Sequence, residues 1–447
     1  MSARAAQSAP ATAAGWPVPP PSSDPLYAVA APGGQAAIAT FLLDGQGALA
    51  RLAPIFHGKR ALSIDEPGQL VFGKLTDPNG AVVDEAIAAP LAAKSSSTDF
   101  EQIELSCHGG AGAVEAVRRL LESAGFRAER RGELAARAHR AARLSLIALE
   151  ARLRLERVHA LRQTQILLLH TEFQARWERL GLDAGLGARS KDLSWREKLY
   201  TAARDEVARF PRLQALLRAH RVAVLGPVNA GKSTLVNKLL RADLSIVSAE
   251  PGTTRDRLER DATLRGLSIA LSDTAGLRAL SGTSEGEELE RAGQARAEAA
   301  AQEAELVLLV QDGSVAPSDE ALALLAKIPA GRGLLVLNKA DLGLHPEADG
   351  WRFAAGHEPQ VVSALTGEGL EKLEARIAAQ LLGAEGEDPV TGGPFTQRQH
   401  EQLTQLQRAL QEGLDGMTII RHIRALIGGA PHETELAKVF AEANEVV

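Results

Sequence analysis

Hydrophobic and polar positions follow two different periods along this chain, and the change of period marks its domains. Between Asp24 and Ala141, short apolar runs of strand character surround one amphipathic helix at 112–124. From 142 to 219, Leu, Ile and Val recur at every third or fourth position, which is the helical period. Because 143–182 holds no proline and no glycine before position 181, we expect one long helix there.

Residues 220–382 alternate strand-like and helix-like segments, which is typical of a doubly wound sheet. The remainder, 383–447, begins with a linker rich in glycine and acidic residues and then becomes helical again. Helical stretches on both sides predict that the α/β domain is inserted into one helical domain (142–219 and 383–447). A small α+β N-terminal domain (24–141) precedes it. Residues 1–23 are rich in Ala, Pro and Ser without periodicity, so we expect a disordered tail.

Residues Gly226–Ser233 form a complete G-x-x-x-x-G-K-[ST] phosphate-binding loop. The β-prone run Arg221–Leu225 precedes it, and a segment with helical spacing, Thr234–Leu240, follows it. In this context backbone N–H groups point at phosphate oxygens, Lys232 reaches the outer phosphates and the Ser233 hydroxyl can ligate Mg²⁺. The sequence therefore predicts phosphate contacts from Gly226, Asn229, Ala230, Gly231, Lys232, Ser233 and Thr234.

A second motif, Asp-Thr-Ala-Gly, ends another apolar run and bears on mechanism. Asp273 can hold Mg²⁺ through water, and Gly276 lets its N–H approach the γ-phosphate. Common switch GTPases place a glutamine after this glycine to orient the attacking water, whereas here the position holds Leu277. Other groups must then act on the phosphates. Asn229 can coordinate a monovalent cation where an arginine finger acts elsewhere.

The base is identified by a third motif, Asn338-Lys339-Ala-Asp341, at the end of an apolar run. The Asp341 carboxylate can accept hydrogen bonds from two ring donors that guanine offers and adenine lacks, and Lys339 can pack its stem over the base. Farther on, Ser363-Ala364 ends another strand-like run where a backbone N–H can meet the guanine O6. The order of these motifs predicts GTP as the nucleotide.

Composition narrows the class of protein. The chain has 447 residues, 45% of them apolar, which suffices for several cores. Its single cysteine, Cys107, excludes an intramolecular disulfide framework and indicates a reducing compartment. A net charge of −6 gives no basic field for nucleic acid, and no apolar run reaches membrane-spanning length. We therefore expect a cytoplasmic enzyme without membrane contact.

These motifs together resemble the tRNA modification GTPase MnmE (TrmE) family. The resemblance rests on Asn229, on Pro251–Asp256, on Asp273–Arg278 and on Asn338–Asp341, and it covers nearly the whole chain from Asp24. It implies a potassium-activated, Mg²⁺-dependent GTPase that forms a homodimer through its G domains. It also implies a flavoprotein partner, with which such enzymes modify the wobble uridine of tRNA.

The resemblance assigns roles to residues at matching positions. It makes Asn229 the potassium ligand, assisted by the loop 248–253, and it adds Thr254 to the Mg²⁺ coordination beside Ser233. The implied metal-binding set is Ser233, Thr254 and Asp273 for Mg²⁺, and Asn229, Ser248, Glu250 and Thr253 for potassium. The catalytic set is Asn229, Lys232 and an acid that ungapped counting places at Glu285, with Glu287 and Glu288 as alternatives.

The outer domains depart from the family pattern at functional positions. The segments around Thr98 and Arg143 match poorly the places where the family binds formyl-tetrahydrofolate, which weakens the prediction of that cofactor. Leu105–Gly110, which includes Cys107, resembles a family strand and turn, for which local packing suffices. At the C-terminus, Asn444 stands where the family has an essential cysteine, and an amide cannot become a thiolate.

Two functions therefore remain after the sequence alone. The first is the family activity, a GTPase of tRNA wobble-uridine modification. The alternative is a GTP-gated regulatory switch that has lost the modification chemistry. A ribosome-assembly GTPase is disfavoured because the residues after Pro389 show neither a basic surface nor a Gly-x-x-Gly loop.

Overall fold

The computed structural model describes residues 19, 21–29, 36–66, 68–91, 96–130, 132–156, 158, 160–188, 193–241, 259–273, 301–316, 328, 331–348, 358–383, 391–428 and 436–441. The strands are β1 Leu26–Val29, β2 Ile38–Gly45, β3 Phe56–Gly58, β4 Val71–Thr76, β5 Val82–Pro90, β6 Glu101–His108, β7 Arg127–Ala128, β8 His220–Leu225, β9 Glu259–Leu264, β10 Leu267–Asp273, β11 Leu306–Asp312, β12 Gly333–Asn338 and β13 Gln360–Val361. The helices are α1 Ala48–Leu52, α2 Ala111–Ser123, α3 Glu133–Arg140, α4 Leu146–Leu155, α5 Leu161–Leu168, α6 His170–Gly187, α7 Ser194–Leu217, α8 Lys232–Arg241, α9 Leu370–Leu382, α10 Gln397–Gln411 and α11 Gly416–Ile427.

The N-terminal part is built on a seven-stranded sheet in the order β3-β4-β5-β6-β2-β1-β7. Its neighbouring strands are antiparallel except for the parallel pair β1–β7. Alternate side chains along β2 and β6 are buried, which places one face of the sheet in the core. That core includes Phe41, Leu43, Leu75, Ile103, Leu105 and Leu121. The predicted α+β class of this region is correct.

The single long helix predicted over 143–182 is wrong, because the structure forms α4, α5 and α6 there. The Ser145 side chain accepts from the Ala148 amide at 3.1 Å, which caps α4 and starts it after position 143. Before α5, Ala160 leaves the helical region with φ −98° and ψ 138°. Buried Gln163 donates to the Leu217 carbonyl at 3.0 Å, so α5 is held by the end of α7. A tertiary contact thus overrides helical propensity.

A second sheet has six strands in the order β13-β12-β11-β8-β10-β9. All its pairs are parallel except the β9–β10 hairpin. The central strands β8, β11 and β12 are almost wholly buried, as expected for parallel strands covered on both faces. Helix α8 packs against β8, β9 and β10, and α9 packs against β11. This sheet, with helices α8 and α9, corresponds to the doubly wound α/β region predicted from the sequence.

Contacts between Cα atoms divide the chain into two compact units. The outer unit takes the described residues within 1–156, 170–205 and 396–446, and the inner unit takes those within 157–169 and 206–395. Helix α5 and the second half of α7 therefore belong with the six-stranded sheet. Among the described residues, no helix has the length and apolarity needed to span a membrane.

The end of the predicted N-terminal tail belongs to the outer unit. The Ser23 carbonyl accepts from the Gln46 amide at 2.9 Å, and the Pro19 carbonyl accepts from Arg140 at 2.7 Å. Pro19 and Ser23, at the end of the predicted tail, therefore make contacts within this unit. Residues 1–18 and 20 lie outside the described part of the chain.

Candidate functional site

The phosphate loop lies between β8 and α8, at the carboxyl edge of the six-stranded sheet. Gly226 has a φ of +144°, and a Cβ there would lie 2.0 Å from the Val310 carbonyl oxygen. Gly231 has a φ of +87°, and a Cβ there would lie 2.2 Å from the Asn338 Nδ2. No other residue type satisfies both the backbone angle and the space at these positions. The sequence motif thus reflects two steric requirements of the fold.

Lys232 opens α8 with its side chain turned back onto the loop. Its Nζ donates to the carbonyls of Gly226 at 2.9 Å and Pro227 at 2.7 Å, and the residue is 8% exposed. Ser233 and Thr234 follow in the first turn and are exposed. A cationic amine, two exposed hydroxyls and a helix N-terminus therefore meet at one edge, which is the arrangement that binds phosphate groups.

Asn229 has an unusual conformation for a residue other than glycine. Its φ is +65°, in the left-handed region, and the residue is exposed at the turn of the phosphate loop. Asparagine tolerates this region better than most residues. The side-chain amide is thus presented at the surface of the loop that the sequence assigns to phosphate.

Asn338 joins three segments of the site. It ends β12 and is 2% exposed. Its Nδ2 donates to the Ala230 carbonyl at 2.9 Å, and its Oδ1 accepts from the Ala364 amide at 2.9 Å. Both ends of the Asn338 amide are therefore used within the protein. The residue fixes the phosphate loop relative to the segment that carries Ser363 and Ala364.

Asp341 lies in a short 3₁₀ turn, Ala340–Leu342, and is exposed. The buried Ser363 hydroxyl donates to its Oδ1. One carboxylate oxygen is thereby oriented by the protein, while the exposed carboxylate still has acceptor capacity for a base. The Ala340 amide also donates to the Val362 carbonyl at 3.1 Å, so the two loops that the sequence assigned to guanine lie side by side.

Asp312 is part of the same edge, and the sequence motifs do not include it. It ends β11 in register with Asn338. Its Oδ2 accepts from the Lys339 Nζ at 2.6 Å, and its Oδ1 accepts from the Ser314 hydroxyl at 2.6 Å. Its signal in the sequence is an acid shortly after the buried run Leu306–Val310, at a strand end like that of Asp273.

Electrostatics keep the Asp312 carboxyl group ionised. Partial burial alone would raise its pKa, but hydrogen bonds from Lys339 and Ser314 outweigh that effect and lower the pKa below its usual range. Asp312 is therefore ionised opposite Lys339 at neutral pH.

The part of the site predicted to hold metal ions is described only in part. Asp273 ends β10 in register with Val224, which brings it to the same sheet edge as the phosphate loop. Nine residues that the sequence analysis singled out lie outside the described part of the chain: Ser248, Glu250, Thr253, Thr254, Gly276, Leu277, Glu285, Glu287 and Glu288. Among the residues that are described, no cluster of three or more His, Cys, Asp or Glu is placed to hold a metal.

The described groups fit a guanine nucleotide. Gly226 and Gly231 give the loop the backbone angles that lead it into the N-terminus of α8, and a helix N-terminus favours phosphate. The oriented Asp341 carboxylate supplies the acceptor for guanine donors. Ser233 offers an exposed hydroxyl of the kind that ligates Mg²⁺ in phosphate loops.

The folate-like segments of the outer unit are occupied by structural contacts. The carboxylate of Asp44 is fully buried. It accepts hydrogen bonds from Thr98 at 2.5 Å, from Gln102 at 2.9 Å and from Arg137 at 2.5 Å. Arg143 is exposed. Thr98 and Arg137 thus stabilise a buried carboxylate, which accounts for both residues without a ligand.

Cys107 and His108 lie at the end of β6 in contrasting environments. Cys107 is 4% exposed. Its burial, and to a smaller extent the nearby charge of Asp84, raises its pKa to about 11. The exposed His108 ring pairs through Nδ1 with Asp84 Oδ1 at 2.6 Å. Burial explains Cys107 by packing alone, as the sequence suggested, and makes its thiol a poor substitute for a reactive cysteine.

The described end of the chain packs against the outer unit's small helices. Val439 and Phe440 join a core with Ala136 and Leu153. The Phe440 ring lies 3.1 Å from where a Cβ of Gly132 would be. Asn444 itself is outside the described residues.

Comparison with known proteins gives two family matches. A model described as 50S ribosome-binding GTPase matches residues 221–339. A second model, described as the GTP-binding protein TrmE N-terminus, matches residues 25–143. The first match spans the phosphate loop, Asp273, Asp312 and Asn338.

Curated relatives match along most of the chain. The tRNA modification GTPase MnmE of a Roseiflexus species is 34% identical over 426 residues, covering 88% of this chain and 89% of the relative. The same-named protein of Thermus thermophilus is 32% identical over 452 residues, covering 93% and 98%. That of Moorella thermoacetica is 30% identical over 464 residues, covering 94% and 98%.

Proposed function

The chain belongs to the MnmE family of tRNA modification GTPases, and from this membership we propose that it couples GTP hydrolysis to modification of the wobble uridine of tRNA. The GTPase assignment itself follows from the family. The guanine contacts and the cations are assigned from particular residues, and the partners are assigned from the family.

Guanine recognition is assigned to the loops that end β12 and follow β13. Asp341, oriented by Ser363, accepts hydrogen bonds from the base, and the stem of Lys339 covers one face of the ring. The Ala364 segment, fixed by Asn338, lies where a backbone N–H can meet the guanine O6. Adenine lacks the two donors that Asp341 requires, so GTP is preferred over ATP.

Phosphate binding is assigned to the loop before α8. Lys232 neutralises the outer phosphates, and the loop N–H groups bind their oxygens. Ser233, Thr254 and Asp273 would hold Mg²⁺, which would supply charge neutralisation at the phosphates. The family's acid, assigned to Glu285, orients or activates the water because Leu277 cannot.

The observation that carries the potassium proposal is the conformation of Asn229. Its left-handed backbone and exposed side chain support an oxygen ligand at the surface of the phosphate loop. We assign Asn229, with Ser248, Glu250 and Thr253, to a monovalent cation that stabilises transition-state charge.

The experiment compares GTP hydrolysis in potassium and sodium at equal ionic strength. We expect faster hydrolysis in potassium, and we expect Asn229→Ala to abolish most of that difference while GDP still binds. Val228→Ala is the matched control, since Val228 is an exposed neighbour in the same loop without a side-chain oxygen. Equal rates in the two salts would eliminate the potassium proposal and leave the GTPase assignment intact.

The proposed partners follow the family as well. We propose a homodimer formed through the inner units, a flavoprotein partner and tRNA contact through that complex. Formyl-tetrahydrofolate is left out of the proposal, because Thr98 and Arg137 are already engaged by the buried carboxylate of Asp44.

Asn444 favours a second candidate, a GTP-gated switch without modification chemistry. A neutral amide offers no thiolate and has no accessible pKa for acid–base work. Cys107 does not replace it, since its thiol is buried and its pKa is raised to about 11.

Genetic complementation separates the two candidates. The gene is expressed in cells that lack their own family member, and wobble-uridine modification is measured by mass spectrometry of digested tRNA. Restored modification supports the first function and shows that the cysteine is dispensable here. Normal GTP hydrolysis without restored modification, in cells that also supply the flavoprotein, supports the switch.

A further inference from the structure

Asp312 belongs to the nucleotide edge of the inner sheet although no nucleotide-binding motif includes it. Its side chain is 19% exposed and its partner Lys339 is 31% exposed, so the pair is shielded from water on most sides. Both carboxylate oxygens are engaged, Oδ2 by Lys339 and Oδ1 by Ser314. A carboxylate with both oxygens bonded has a fixed orientation, unlike most surface ion pairs.

The backbone around Asp312 is held as firmly as its side chain. The Gly313 amide donates to the Asn338 carbonyl at 2.8 Å, and the His345 amide donates to the Gly313 carbonyl at 2.9 Å. The Ser314 amide adds a hydrogen bond of 3.0 Å to the Asp312 Oδ1. Asp312 is thus anchored to the same strand end that carries Lys339.

The ion pair with Asp312 restrains Lys339, whose side chain leaves the backbone at an unusual angle. Its backbone is left-handed, with a φ of 65° and a ψ of 36°. Its aliphatic stem leaves the chain between Asn338, which is fixed to the phosphate loop, and Asp341, which is oriented by Ser363. A free lysine side chain would sample many rotamers, and ordering it upon binding would cost conformational entropy.

We propose that Asp312 is a positioning residue for guanine binding, which holds the ammonium group of Lys339 so that the lysine stem is preorganised beside the base. The inference rests on the proposed guanine site. It assigns a role in affinity to a residue that touches the lysine and does not touch the nucleotide. Its loss is expected to weaken nucleotide binding while leaving the choice of base to Asp341.

The test is Asp312→Asn, which keeps the size of the side chain and an oxygen for Ser314 but presents an amide donor to the lysine ammonium. We expect GDP labelled with a fluorophore on the ribose to dissociate roughly fivefold faster. KM for GTP should rise by a similar factor while kcat stays unchanged. Glu371→Gln is the control, because it removes one exposed negative charge from the same unit. Glu371→Gln should change neither the GDP dissociation rate nor KM for GTP.

Lys339→Met provides a readout that a merely structural role would not move. Methionine keeps an apolar stem and cannot pair with a carboxylate. If Asp312 acts through Lys339, Asp312→Asn has no further effect on dissociation in the Lys339→Met background. An equal effect in both backgrounds would overturn the inference, and so would unchanged dissociation for Asp312→Asn alone.

Asp341→Asn separates failure of this inference from failure of the guanine site. Xanthine carries a carbonyl where guanine carries its exocyclic amine, so an amide at 341 should favour xanthine nucleotides. If that variant keeps the guanine preference, the proposed site is wrong and the inference falls with it. A switch to xanthine, together with a wild-type dissociation rate for Asp312→Asn, overturns only the positioning role.

Discussion

Gly226 and Gly331 both adopt a positive φ, of +144° and +80°, but only one of them faces another part of the chain. A Cβ at Gly226 would lie 2.0 Å from the Val310 carbonyl, whereas a Cβ at Gly331 would meet nothing within 4 Å. We expect Gly226→Ala to displace the phosphate loop and to weaken GDP binding by roughly a hundredfold or more. Gly331→Ala should bind GDP normally, and isothermal titration calorimetry measures both. Normal binding by the first variant would contradict the steric explanation.

Cys107 is expected to be unreactive in the folded protein. Burial raises its pKa from an ordinary value near 9 to about 11, so the thiolate fraction at pH 8 falls by roughly a hundredfold. Iodoacetamide followed by mass spectrometry should therefore label the thiol in urea and leave it unlabelled in buffer.

The same shift has a defined sign for stability. The folded state favours the protonated thiol of Cys107. The contribution of this group to the free energy of unfolding is therefore fully present below pH 9 and is lost as the pH rises toward 11. Rapid alkylation of the native protein at pH 8 would show that Cys107 is more accessible than its 4% exposure implies.

Sequence reasoning can select residues whose proposed role depends on local chemistry. Gly226, Lys232 and Asp341 can be chosen because short motifs specify both their neighbours and their task. Asp312 cannot, since its role depends on a partner in the next strand of the sheet, and that pairing appears only when β11 and β12 are in register. Residues 242–258 and 274–300 lie outside the described structure, so the predictions made for them remain predictions.

At the scale of elements, the hydrophobic pattern locates strands β8, β10, β12 and β13, but it does not locate the boundaries of α4, α5 and α6. The six-stranded sheet contains every strand predicted for the α/β region, at β8, β10, β12 and β13. The sequence predicts a single helix across α4 to α6, because no proline interrupts them and the first glycine comes only at position 181. The Ser145 cap sets the start of α4, and the contact between Gln163 and Leu217 holds α5 as a separate helix, which requires the tertiary fold.

Helices α4 and α10 are joined by a buried polar cluster that invites a stability test. Glu150 accepts from Arg398 at 2.6 and 2.9 Å and also from Thr396 and Gln399. Glu150→Ala would leave Arg398 buried without its carboxylate, so we expect the free energy of unfolding to fall by about 3 kcal/mol or more.

The control lies on α10 itself. Glu401 is exposed and accepts a hydrogen bond from its helical neighbour Gln397 at 3.3 Å. Glu401→Ala should change the free energy of unfolding by less than about 0.5 kcal/mol. Urea unfolding followed by tryptophan fluorescence measures this change, and Trp177 and Trp195 are buried within the outer unit. Equal midpoints for both variants would contradict a stabilising role for the cluster.

At the scale of the whole molecule, the proposed homodimer should depend on the nucleotide. If the inner units associate only when the phosphate loop and its cations are ordered around a γ-phosphate, a transition-state mimic should promote association and GDP should not. Sedimentation velocity in potassium measures this, and sodium is the matched control. An identical mass distribution with GDP and with the mimic would contradict nucleotide-gated association of the inner units.

The cluster around Glu150 also sets an order of events during synthesis on the ribosome. Arg398 follows Glu150 by 248 residues, so at about 5–20 residues per second the acid waits for its partner on the order of tens of seconds. The inner unit is translated entirely within that interval. It can therefore fold while the outer unit is still incomplete, and a chain released early would carry an unpaired acid in a core that only the last segment can close. A chain that ends before Thr396 therefore lacks all three partners of the Glu150 carboxylate.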